Sequence, residues 1–171
     1  DLINKNLISI NVRRGDYKQI PHKFPICSKK YYLDCIKILG KNENYIFISD
    51  DIHWCKKNFN GENFYFLESN DPLIDLYFPS FCKHNIISNS SFSWWGAFLN
   101  KNPGNKVLFP KNWFGISKET KYNNTKDLFP KSWISVNNSL DFNTLIKSYW
   151  LLLLEILFHN LSKIKIKLRL K

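Results

Sequence analysis

The sequence predicts an α/β fold with a doubly wound parallel sheet. Three observations carry this: short apolar runs that read as strands, helical patterns between them, and short connections throughout. Residues 7–12 form the first strand, and residues 28–39 follow as a helix that Ser28 caps and Gly40 ends. Residues 44–49 carry Tyr45, Ile46, Phe47 and Ile48 in succession, the composition of a strand buried on both faces. A second helix begins after Asp50-Asp51 and carries Trp54, Cys55 and Phe59. Residues 63–67 give a third strand. Asp71-Pro72 then opens a helix with Pro in its first turn and Leu73, Ile74, Leu76, Tyr77 and Phe78 behind it. Residues 84–88 form the fourth strand, the stretch from Ser90 runs into a fourth helix, and residues 106–109 form a fifth strand. Residues 111–140 read as surface loop or extended wrapping, with no chemistry assigned. The domain is expected over 1–140 and a helical tail over 141–171. Within that tail, residues 149–161 are strongly apolar apart from Glu155, and residues 163–171 alternate basic and apolar side chains. A bilayer span needs about 20 apolar residues, and the tail is too short and interrupted for one.

Composition supports a folded domain: 44% of the 171 residues are hydrophobic and 16% aromatic, which excludes a disordered chain. Twenty-five Lys and Arg against 14 Asp and Glu give a net charge of +11. That excess favours anionic partners: nucleotides, phosphates, nucleic acid or acidic lipid. Cys27, Cys35, Cys55 and Cys82 lie far apart with no C-x-x-C pair, so free thiols in a reducing, cytoplasmic setting are expected. The chain opens on Asp1 and has no Met, so it is expected to continue upstream.

Ligands of such sheets bind beyond the carboxyl ends of the strands. Three polar clusters fall there: Arg13-Arg14-Gly15-Asp16, Ser49-Asp50-Asp51, and Ser88 to Ser93. They are expected to converge. Two arginines at a strand end suit bidentate, charge-assisted bonds to a pyrophosphate; a solvated surface pair or an adhesive Arg-Gly-Asp tripeptide are the alternatives. In SNSSFSWWGAFLN, residues 88–100, serines at a helix start offer hydroxyls and backbone N–H groups to an anion, and N-capping by Ser90 or Ser91 is compatible with that. Trp94 and Trp95 are assigned to the core. Asp50-Asp51 can cap the next helix, bind a metal or accept hydrogen bonds from a base. No His or Glu cluster supplies further metal ligands. His53 and His84 lack a partner set.

VRRGDY at 12–17, FISDDIHWCKKNF at 47–59, NDPLIDLY at 70–77 and above all SNSSFSWWGAFLN at 88–100 resemble the α-1,2-fucosyltransferases of glycosyltransferase family 11, in order and in spacing. The resemblance covers about residues 7–115 and implies the C-terminal, donor-binding half of a GT-B fold, a Rossmann-like domain. It further implies GDP-fucose as donor and metal-independent, inverting transfer to a galactose 2-hydroxyl of a glycan, with no cofactor and no nucleic-acid partner; a basic nucleic-acid-binding module or an inactive, truncated relic are the alternatives. By position it places Arg13 at the β-phosphate as the residue carrying catalysis, Arg14 beside it, and Asp51 or Asp50 at the guanine. It places Ser90 and Ser91, with Ser93 less surely, at the phosphates. Asn11 stands where the usual pattern has His, and still donates and accepts hydrogen bonds to the base or ribose. A general base for the acceptor is expected from the N-terminal half. The tail is expected either to dock on that half or to associate peripherally with the inner face of an anionic membrane.

Overall fold

The computed structural model describes residues 6–69 and 71–169, with side chains through Ser162. Asn70, and the side chains of the basic run over 163–171, lie outside the described residues. Among the described residues six strands form one sheet: β1 (Ile8–Val12), β2 (Tyr45–Ser49), β3 (Phe64–Phe66), β4 (His84–Ile86), β5 (Val107–Pro110) and β6 (Ile134–Val136). Their spatial order is β3-β2-β1-β4-β5-β6 and every pairing is parallel. This is the Rossmann-like arrangement, in which strand order reverses between the first and fourth strands.

β1 is the central strand and all five of its residues are buried. Because side chains alternate across a strand, Ile8, Ile10 and Val12 join one core with Tyr45, Phe47, Ile86 and Leu108. Two helices cover that core: α1 (Lys29–Leu39), through Tyr31, Tyr32, Cys35 and Ile36, and α2 (Ile52–Asn58), through Cys55. Ser9 and Asn11 point to the opposite side. There lie α3 (Pro72–Tyr77), a 3₁₀ turn at Phe78–Phe81 and α4 (Ser91–Phe98). On this side Asn85 donates to Ser9 Oγ and Pro79 O at 2.8 Å each, and Asn100 donates to Asn85 Oδ1 at 2.8 Å and Cys82 O at 2.7 Å. The buried amides thus satisfy one another.

The helix starts follow from local chemistry. Ser28 Oγ accepts from Tyr31 N, Asp51 Oδ1 from Trp54 N and Asp71 Oδ1 from Leu73 N. Gly40 ends α1 at φ +118°, a conformation open to glycine. Two expectations need correction. Residues 111–140 are not all loop: Ile134–Val136 pairs in parallel with β5, and only Val136 of the three is buried, so the short edge strand lacks an apolar signature. Trp95 is not core but 51% exposed; only its neighbour turns inward, with Trp94 Nε1 donating to Leu128 O at 2.9 Å. The tail helix α5 spans Phe142–Arg169, and Asp141 caps its start, accepting from Thr144 N and Oγ1 at 3.0 and 2.7 Å.

α4 packs closely on α3 at Gly96, where a Cβ would lie 2.9 Å from Leu76 O and 3.2 Å from Pro79 Cγ. Overpacking costs about 1–3 kcal/mol, against a helix-propensity gain of about 1 kcal/mol for alanine. Gly96→Ala is therefore expected to lower stability by up to about 2 kcal/mol, read from the urea midpoint at unchanged slope. An unchanged midpoint would mean that α4 can move off α3.

Candidate active site

Where the strand order reverses, the carboxyl ends of β1 and β4 frame a cleft of about 600 Å³. Its wall includes Asn11, Arg13, Asp16 and Tyr17 from β1 and its exit, Ser49 and Asp50 from β2, Pro72 and Asp75 from α3, and Ser88 and Ser90 to Ser93 at the start of α4. The three polar clusters do meet. A larger hollow of about 840 Å³ has a mostly apolar wall that includes Leu7, Leu73, Ile74, Tyr77 and Phe78, with Asn6, Lys83 and Asn102 as its polar members.

Strand alternation decides what the two arginines do. Arg13 falls on the α3/α4 side and enters the cleft. Arg14 falls on the α1/α2 side, with its guanidinium 4.0 Å from the Trp54 ring centre and its Nε donating to Asp51 Oδ2 at 3.3 Å. Arg14 and Asp51 do not line the cleft. Asp51 Oδ2 also meets Lys18 Nζ at 3.0 Å. Burial alone would raise the Asp51 pKa, but the bonds from Lys18, Arg14 and Trp54 N hold it below its ordinary value. The adjacent acid behaves differently. Asp50 accepts from Arg14 N through Oδ1 and from Gly15 N through Oδ2, both at 2.9 Å, so its carboxylate fastens the exit of β1 to that of β2.

Asp50 Oδ2 lies 3.2 Å from Arg13 Nη1, and Asp16 Oδ1 lies 2.8 Å from Arg13 Nη2. The guanidinium also sits 5.5 Å from the Tyr17 ring centre. Tyr17 OH in turn donates to Asn89 O at 3.1 Å, tying this wall to the β4 exit. The expected serines divide. Ser93 is buried and donates to Ser88 O and Ser90 O at 3.0 and 2.9 Å, which shapes the turn. Ser90 occupies the N-cap position of α4 but makes no side-chain cap, so no cap oxygen meets the first-turn N–H groups of Ser91, Phe92 and Ser93. Ser91 is exposed at the rim.

Among the described residues two acceptor oxygens in this wall are buried without a partner: Asn11 Oδ1 and Asp75 Oδ1. Sequence reasoning missed Asp75, which reads as an ordinary helical acid between Ile74 and Leu76. No local signal marked it: its place on the cleft wall is set by how α3 packs in the fold. The wall is not a simple cationic cradle either: it presents one guanidinium, Arg13, beside the carboxylates of Asp16, Asp50 and Asp75. His53 is exposed on α2, and His84 Nδ1 accepts from Lys106 N at 3.1 Å; neither lines the cleft. Among the described residues no group of three or more His, Cys, Asp or Glu is placed to hold a metal ion.

Burial, and then the charge of Asp71, raise the Asp75 pKa. The folded chain therefore keeps this proton to higher pH than the unfolded chain. The ionised carboxylate lowers stability above that window, and the cost disappears as pH falls below the ordinary aspartate value of about 3.9. Asp75→Asn should unfold at higher urea than the parent at neutral pH, with the two midpoints converging in acid. Equal midpoints at neutral pH would show that Asp75 is already compensated.

A family model described as glycosyl transferase family 11 matches residues 2–137. An alpha-1,2-colitosyltransferase of Escherichia coli is 38% identical over 120 residues, which cover 64% of this chain and 41% of that protein. The O-antigen biosynthesis glycosyltransferase WbnK of Escherichia coli is 37% identical over 128 residues, 69% of this chain and 42% of that protein. The galactoside 2-alpha-L-fucosyltransferase SEC1 of Bos taurus is 25% identical over 103 residues, 54% of this chain and 28% of that protein. The matched region is thus about two fifths of the length of the bacterial relatives. With four fifths of its residues inside the family model and a Rossmann-like parallel sheet, the chain belongs to glycosyl transferase family 11.

Proposed function

We propose that this cleft is the donor site of an inverting transferase that moves L-fucose from GDP-fucose to the 2-hydroxyl of a galactose-terminated glycan, without a metal. The observation that carries the reading is the pairing of Arg13 with the uncapped start of α4 across one cleft. A guanidinium and a row of helix N–H groups are complementary to a pyrophosphate held between them. Asp50 is fixed by two backbone bonds and stays on Nη1. Asp16 has a side chain 57% exposed on a 3₁₀ turn, and the diphosphate takes its place on Nη2. Asn11 Oδ1 and Asp75, short of hydrogen bonds, accept from the N–H and O–H groups of the nucleoside. A purine edge with N–H donors, such as guanine, suits them.

During transfer the sugar–phosphate bond breaks at the anomeric carbon, and the leaving GDP gains negative charge. Arg13 and the α4 amides are already oriented to receive it, and one such donor lowers the barrier by about 3–4 kcal/mol. The names of the relatives favour a second donor as well, because one of them is a colitosyltransferase. That reading keeps the nucleotide subsite and changes only the sugar.

Titration calorimetry with GDP, GDP-fucose, GDP-colitose and a short oligonucleotide tests the reading. All three GDP ligands are expected to bind, and Arg13→Ala is expected to abolish the heat whereas His53→Ala leaves it unchanged. Arg13→Lys keeps a charge but loses the fork and should bind far more weakly than the parent. Salt-sensitive oligonucleotide binding without a response to GDP would refute the donor site.

A further inference from the structure

We propose that α5 is an interfacial helix that lays its outer face on an anionic bilayer surface. The helix has two unlike faces. Its inner face meets the domain: Ser148 is 1% exposed, Glu155 Oε2 lies 3.8 Å from the buried His22 Nε2, and Lys147 Nζ donates to Lys18 O at 2.6 Å. Its outer face carries Ile146, Trp150, Leu153, Leu157 and Leu161, exposed by 47%, 62%, 57%, 58% and 54%. Spacings of three and four residues place these side chains on a single stripe. The apolar stripe is thus turned away from the core that already holds the helix.

Charge selects the occupant. From Phe142 to Lys171 the sole acidic residue is Glu155, which the inner face consumes along with Lys147, while Lys163, Lys165, Lys167, Arg169 and Lys171 are basic. A second copy would bring a like-charged segment against this one, and a nucleic acid would leave the apolar stripe wet. Anionic lipid satisfies both halves: acyl chains cover the stripe and headgroups meet the basic residues. Tyr149 and Trp150, with apolar rings and polar handles, suit the headgroup boundary. Among the described residues no helix is long and apolar enough to cross a membrane, so the geometry is that of a helix lying on the surface.

The test is co-sedimentation of the full chain with vesicles of phosphatidylcholine plus phosphatidylglycerol, beside vesicles of phosphatidylcholine alone. Binding is expected to the anionic vesicles, to weaken steeply with added salt, and to fall at least about tenfold in Leu153→Ser/Leu157→Ser, which removes apolar area from the exposed face alone. The urea midpoint of that variant, expected to match the parent, shows the domain intact. Should the midpoint shift, the parent alone decides: binding that salt weakens and phosphatidylcholine fails to support upholds the proposal, and binding indifferent to both overturns it. No sedimentation with anionic vesicles, or equal sedimentation of parent and intact variant, overturns it too. So does a dimer in analytical ultracentrifugation that the same variant dissolves, since the stripe would then belong to a second copy.

Discussion

The grip of Asp50 on the backbone N–H groups of Arg14 and Gly15 is the contact on which the cleft depends. It fastens the exit of the central strand to the exit of its neighbour and leaves one carboxylate oxygen facing Arg13 Nη1. Gly15 is part of the same device, because a Cβ there would stand 2.4 Å from Asp50 Oδ2. Once the exit is fixed, strand alternation sends Arg13 to the cleft and Arg14 to the far side. Arg14 then stacks on Trp54 and pairs with the acid that caps α2. A pair of adjacent residues thus makes two different kinds of bond, one open to a ligand and one closed within the fold.

Much of this could be read from the residues because it rests on local rules. Ser28, Asp51 and Asp71 each stand directly before a helix that their oxygens cap, and Tyr45 to Ile48 are apolar without interruption because helices cover both sheet faces. What escaped was decided by distant contacts. β6 exists because β5 offers a free edge, not because Ile134-Ser135-Val136 announces a strand. Trp94 and Trp95 are neighbours of equal hydrophobicity, yet only one can find Leu128 O on its side of α4. Arg14 and Asp51 carry the right chemistry for a nucleotide, and resemblance alone puts them at one. Parity along β1 was the available clue that Arg14 would turn from the cleft. Asp75 was hidden for the opposite reason: its role comes from the wall it faces, and a single acid in an apolar helix has no local signature.

The net charge of +11 also needs a location. It does not reside in the cleft wall, where Asp16, Asp50 and Asp75 outnumber Arg13. An acidic wall around one fixed guanidinium favours a ligand that brings its own hydrogen-bond donors as well as its phosphates, which a nucleotide does and inorganic phosphate does not. Attraction is then governed by directional bonds instead of by field strength, and selectivity among anions follows. The basic excess is instead dense in the last thirty residues, on and beyond α5, where a single acid faces inward. Chemistry and attraction are thereby separated in space. The cleft wall carries no cationic excess, and that excess is left to the segment whose outer face is apolar.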